Sequence, residues 1–185
     1  TTLGVFLPSL AAQFGWSRGQ AAQGVALALR GFTLMQPLIG RLIGRYGAKR
    51  IILVSAACFG VSLLGLAGFV SGTASFYLGA LLTGCVAGGT SPLPYGAVLA
   101  RWFVGRRGVA VSVALSGLGI GGMILPLLTS HMITTYGWRA GFLLLGLLVL
   151  GVILPVVGVA LRETPEEMGL WPDGQAPMGR APGAP

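Results

Sequence analysis

Carboxylates are nearly missing from this chain. Only four Asp and Glu occur in 185 residues, none of them before Glu163, against twelve Lys and Arg. Charged residues of both signs make up 9% of the sequence, where soluble domains carry about 25%. That shortage excludes a water-exposed globular surface over most of the length, together with the paired acids of general acid–base chemistry. His131 is the lone histidine, and Cys58 and Cys85 lie in apolar runs, where they read as small buried residues and not as a disulfide or metal pair. No Gly-rich turn follows a strand to cradle a phosphate. The expectation is therefore no enzyme, no cofactor and no metal. The net charge of +8 does not read as a nucleic-acid surface either, because the basic residues are scattered among short loops and form no single patch.

What fills the chain is hydrophobic, 54% of all residues. A helix needs about 20 apolar residues to cross about 30 Å of hydrocarbon. The runs predict an all-α integral membrane bundle in a lipid bilayer. A partial first span covers 1–14, and full spans cover 19–39, 51–71, 74–100, 108–133 and 138–161. The first is too short to cross alone, so the reading is six helices with the start of the first truncated. Residues 162–185 differ in kind: they hold all four acids and end in a Gly/Pro/Ala-rich stretch that reads as a linker.

By parity, nine basic residues share one side: Arg41, Arg45, Lys49, Arg50, Arg101, Arg106, Arg107, Arg162 and Arg180. The other side has Arg18 and Arg139. The positive-inside rule makes the nine-residue side, and the tail, cytoplasmic. Tyr46-Gly47-Ala48-Lys49 after the second span and Tyr136-Gly137-Trp138-Arg139 after the fifth occupy matching positions three spans apart, the pattern of an inverted three-plus-three repeat.

Glycines one turn apart let helix backbones approach closely. Gly84 and Gly88 in the fourth span, and Gly117 and Gly121 in the fifth, predict such packing. Pro92, Pro94 and Pro126 fall in the same two spans, where proline opens the hydrogen-bond ladder. Either tight packing or bending of these helices accounts for the pattern.

The stretch Gly40-Arg41-Leu42-Ile43-Gly44-Arg45-Tyr46-Gly47-Ala48-Lys49-Arg50 resembles the loop signature between helices two and three of the major facilitator superfamily. Gly40, Leu42, Arg45, Tyr46, Gly47, Lys49 and Arg50 fit it. Phe14-Gly15-Trp16-Ser17-Arg18, Arg101-Trp102-Phe103 leading to Arg106-Arg107-Gly108, and Gly137-Trp138-Arg139 resemble the branch that carries monocarboxylates, oxalate and formate. Glu163-Thr164-Pro165-Glu166-Glu167-Met168-Gly169-Leu170 looks like the start of the loop joining the two halves of such proteins. The resemblance implies a multi-pass transporter of the cell membrane with two six-helix halves around a central cavity. This chain would be most of the first half, a fragment whose partner is the C-terminal six-helix half. Two departures stand out: Gly44 occupies the signature's Asp position, and Ala80 falls near the arginine that proton-coupled members carry in helix four.

Arg30 lies near the centre of the second span, where a charge costs at least about 2.5 kcal/mol. No carboxylate upstream of Glu163 can pair with it. Its partner is then water, backbone or side-chain oxygens, the other half, or an anionic substrate gripped by the guanidinium fork. Gln23 and Thr33 fall on nearly the same helical face, and Tyr95, Ser91 and Ser116 are further polar groups able to face a cavity. The expectation is a secondary transporter of a small organic anion, a mono- or dicarboxylate, working by alternating access. The alternatives are an exporter of neutral or cationic drug-like compounds, a non-transporting sensor or assembly subunit, and a six-helix homodimer.

Overall fold

The computed structural model describes residues 3–103, 105, 107–162 and 164. The proposed inter-half loop, with all four acids, lies outside these apart from Arg162 and Thr164. Helix α1 (Leu3–Phe14) turns through Gly15 into α2 (Arg18–Tyr46), followed by α3 (Ala48–Phe69) and α4 (Thr73–Ala87). A 3-10 turn at Gly88–Thr90 links α4 to α5 (Pro92–Trp102); α6 (Arg107–Tyr136), α7 (Trp138–Leu148), a wide π turn at Val149–Ile153 and α8 (Leu154–Ala160) complete the order. No strand occurs among the described residues. Ala48–Phe69, Thr73–Trp102, Arg107–Tyr136 and Trp138–Ala160 are each long and apolar enough to cross a membrane. Helix α2, at 29 residues, is about 44 Å long by helix rise, but Arg18, Arg30, Arg41 and Arg45 make it less apolar.

Helix ends follow local chemistry. Ser17 caps α2: its hydroxyl accepts the Gln20 N–H at 3.2 Å, and the Gln20 side chain accepts the Ser17 N–H at 3.0 Å, a capping box. Pro92 opens α5 at the position where its missing N–H costs nothing. Pro155 follows the π turn, which relieves the clash of its ring with the preceding turn. By contrast, α6 runs unbroken through Pro126.

The stretch expected as a loop over Gly40–Arg50 is helical almost throughout. Helix α2 continues to Tyr46, Gly47 alone departs from helix, and α3 starts at Ala48. Glycine is needed there because φ is +85°; Gly137 repeats the device at +88° between α6 and α7. Each glycine N–H bonds the carbonyl four residues back, Gly47 to Ile43 and Gly137 to Ile133, both at 3.0 Å. Ala48 and Trp138, the next residues, are both buried. The two Tyr-Gly junctions thus share one backbone conformation, 90 residues apart at Tyr46 and Tyr136. Gly60 of α3 meets the π turn at the same offset: a methyl group on it would come within 2.5 Å of Leu150.

The bundle is held chiefly by α2 against α4 and α3 against α7. Small residues Ala21, Gly24, Ala28 and Gly31 form the buried stripe of α2. Phe76 of α4 fills the notch at Gly24, and a methyl on Gly31 would sit 2.6 Å from the Leu81 carbonyl oxygen. A core of Phe6, Leu10, Leu63, Leu66, Phe76, Trp138 and Phe142 closes one end. Outward, large apolar side chains are bare: Phe69 is 84% exposed and Val159 77%. In water this would be costly, whereas lipid tails are as apolar as the side chains. The most apolar stretch of α6 has no buried residue at all. Cys58 is exposed on α3, contrary to the expectation of burial, and Cys85 is half-buried; both are free.

Candidate functional site

The polar face of α2 is the centre of interest. The residues buried against α4 are small, so Arg30 and Thr33 fall on the opposite, exposed face, while Gln23 is exposed at its edge, within reach of α4. Arg30 lies about 18 Å along α2 from Arg18 by helix rise, deep within the helix. Among the described residues it has no hydrogen-bond or ion-pair partner. Thr33 spends its hydroxyl proton on the Leu29 carbonyl of its own helix, at 2.9 Å, which leaves its oxygen lone pairs facing out. The Gln23 amide oxygen accepts from the Tyr77 hydroxyl at 2.9 Å, and the same hydroxyl lies 2.9 Å from the Gln20 carbonyl.

Tyr77 has no local signal in the sequence, since its partner is 54 residues away. It ends a chain of rings. Phe76 leads to Trp16 at 5.3 Å, Trp16 stacks on Phe14 at 4.7 Å, and Phe14 reaches Trp138 at 6.1 Å. Trp138 then meets Phe142 edge-on, and Phe142 stacks on Phe6 at 4.0 Å. The Trp138 indole N–H donates to the Gln13 side chain, and the Arg139 guanidinium sits 5.1 Å above the Trp138 ring. Trp16 and Trp138, which the sequence singles out only as motif residues, are therefore joined through Phe14 in one network that ties α1, α2, α4 and α7.

The remaining candidates are dispersed. Ser91 precedes α5 and is buried, with its hydroxyl unpartnered, as are the buried hydroxyls of Thr83 and Thr129. Tyr95 is half-buried one turn further along. Ser116 is exposed on α6 and donates to the Ser112 carbonyl at 2.9 Å. His131 is exposed, its carbonyl accepting the hydroxyls of Thr134 and Thr135. A methyl on Gly84 would overlap the Ala28 carbonyl, and one on Gly88 would lie 3.4 Å from Ile39; around Gly117 and Gly121 nothing lies within 4 Å. The first pair packs on α2, while the second faces open space within this chain.

Gly40 and Gly44 also border open space, so glycine at the signature's Asp position is no steric necessity. Arg45 covers the Tyr46 ring at 5.4 Å, while Leu42 and Lys49 are half-buried and Arg41 and Arg50 exposed. Below α5, the Trp102 indole donates to the Arg162 carbonyl at 3.0 Å and fixes the chain where it leaves the bundle. No group of three or more His, Cys, Asp or Glu able to hold a metal occurs among the described residues.

Comparison with known proteins agrees with this architecture. Residues 1–181 match the Major Facilitator Superfamily. The chain is similar to monocarboxylate transporter 11 of Mus musculus, 32% identical over 152 residues, covering 80% of this chain and 33% of that protein. It is 30% identical over 162 residues to the Homo sapiens counterpart, covering 84% and 34%. It is 32% identical over 127 residues to the fujikurins efflux protein of Gibberella fujikuroi, covering 63% and 26%. The chain spans about a third of the length of the curated relatives it matches. Nearly end to end, then, this helical, lipid-compatible bundle belongs to the Major Facilitator Superfamily of multi-pass membrane transporters.

Proposed function

We propose that the complete protein moves a small organic anion, a mono- or dicarboxylate, across the cell membrane by alternating access. The observation that carries this is Arg30: an exposed guanidinium near the middle of the 29-residue α2, with no partner among the described residues and no carboxylate upstream of Glu163. A charge in that position is stabilised by an anion that enters the cavity, and a carboxylate matches its two parallel donors. Gln23, Thr33, Tyr95, Ser91 and Ser116 are the proposed supporting polar groups. In this reading a six-helix unit spans 1–161, the loop at 162–185 joins it to a second six-helix half, and the basic ends Arg41–Arg50 face the cytoplasm. Similarity to proteins named monocarboxylate transporters supports the substrate class.

The test is uptake of radiolabelled carboxylates into proteoliposomes holding the full-length protein. Arg30→Ala should abolish saturable uptake. Unchanged uptake and affinity in that variant would remove the site assignment. Similarity to a fujikurins efflux protein favours a second reading, export of a drug-like compound. Competition by such compounds, with no competition by carboxylates, would select it.

A further inference from the structure

A groove of about 460 Å³ runs between α1 and α2 at the end where the two helices join, lined by Gly4, Leu7, Pro8, Ala11, Arg18 and Ala21. Its volume falls in the range of small-molecule sites, about 300–1,000 Å³. It is distinct from the Arg30 face, because Arg18 stands in the first turn of α2, twelve residues earlier. Its lining is apolar except for one cation. Arg18 is exposed and has no hydrogen-bond or ion-pair partner among the described residues. It belongs to the N-terminal turn of α2, whose backbone dipole adds positive potential. Gly4 to Ala11 run about 10 Å along α1 by helix rise.

A cation at one end of a greasy trough matches one kind of molecule, a carboxylate head on an apolar body. The geometry points to this groove as a second anion site, an outer capture site for amphiphilic monocarboxylates such as medium-chain fatty acids. The head group pairs with Arg18, and the hydrocarbon lies along Leu7, Pro8 and Ala11. The side opposite the nine-residue basic face has only Arg18 and Arg139 as cations, and Arg139 is stacked on Trp138. Of the two, Arg18 is the one with no ring, hydrogen-bond or ion-pair partner among the described residues and the one that borders the groove. The site deepens the carboxylate reading above and rests on it for what is finally carried.

The experiment uses the full-length transporter in proteoliposomes, with octanoate as the probe. Arg18→Gln should raise the KM for external octanoate about tenfold, the loss expected for a charge-assisted hydrogen-bonded pair, with kcat unchanged. Arg18→Lys should recover most of the affinity, and wild-type KM should fall by up to about fourfold per added methylene. An unchanged KM in Arg18→Gln overturns the site. Independently of transport, Ala11→Cys, with Arg18 kept and every other cysteine of the full-length protein replaced, places a thiol in the groove lining; it should react with an anionic, membrane-impermeant thiosulfonate, and octanoate should protect it. No reaction, meaning another segment covers the groove, or no protection, overturns the site as well. A wild-type protein that carries no carboxylate refutes the transport reading, while the protection assay still judges the groove.

Discussion

Gly84 of α4 rests directly on the carbonyl of Ala28, two residues before Arg30 in α2. The position of Arg30 against α4 is thus set by a backbone-to-backbone contact that any side chain at 84 would push apart.

Replacing Gly84 by Leu should therefore destabilise the bundle by about 1–3 kcal/mol, the usual cost of overpacking. Gly117→Ala, with nothing within 4 Å, should be neutral or slightly stabilising in the 185-residue chain, because alanine favours helix. Thermal unfolding of both variants in detergent checks the contrast. Equal losses would contradict the packing described.

The two Tyr-Gly junctions should respond alike. Gly47→Ala and Gly137→Ala each force a β-carbon into an extended backbone with positive φ and should each cost about 1–3 kcal/mol. Denaturant titration of the single variants would show unequal penalties if only one junction were structurally required.

Tyr77→Phe removes the hydroxyl that bridges the Gln20 carbonyl and the Gln23 side chain. The expected loss is about 0.5–1.5 kcal/mol, while the ring contact with Phe76 remains. Gln23→Ala combined with Tyr77→Phe should cost less than the sum of the two single changes, which a double-mutant cycle reads directly.

Gly44→Asp restores the signature's acid in open space. Arg41 lies three residues earlier on the helix, so stability should change by no more than about 0.5 kcal/mol. Folded yield and melting temperature are the readouts; a large loss would mean that the position is sterically closed.

Arg30→Lys keeps the charge and removes the planar fork. Carboxylate affinity should fall about tenfold with some transport retained, whereas Arg30→Ala should retain none. Equal affinity in wild type and Arg30→Lys would argue for a point charge in place of a bidentate grip.

Much of this was legible before any coordinates. The absence of acids and the length of the apolar runs specify a lipid-embedded helical bundle, because hydrocarbon tolerates no unpaired backbone. Tyr46-Gly47 and Tyr136-Gly137 mark two helix junctions, because a positive φ at a junction selects glycine. Arg30 is conspicuous for a similar local reason, a charge where burial is expensive. The pairing of these features is another matter. That Gly84 meets Ala28, that Tyr77 reaches Gln23, that Trp16 and Trp138 join through Phe14, and that Arg18 borders a groove all depend on helices far apart in the chain. Helical periodicity says which residues share a face, but the facing partner is chosen by complementary shape between elements, which no local stretch encodes. The sequence alone determined the solvent, the fold class and the lack of any carboxylate upstream of Glu163 to pair with Arg30. Only the tertiary structure decided which polar groups are engaged, which are free, and where the chain leaves room for a ligand.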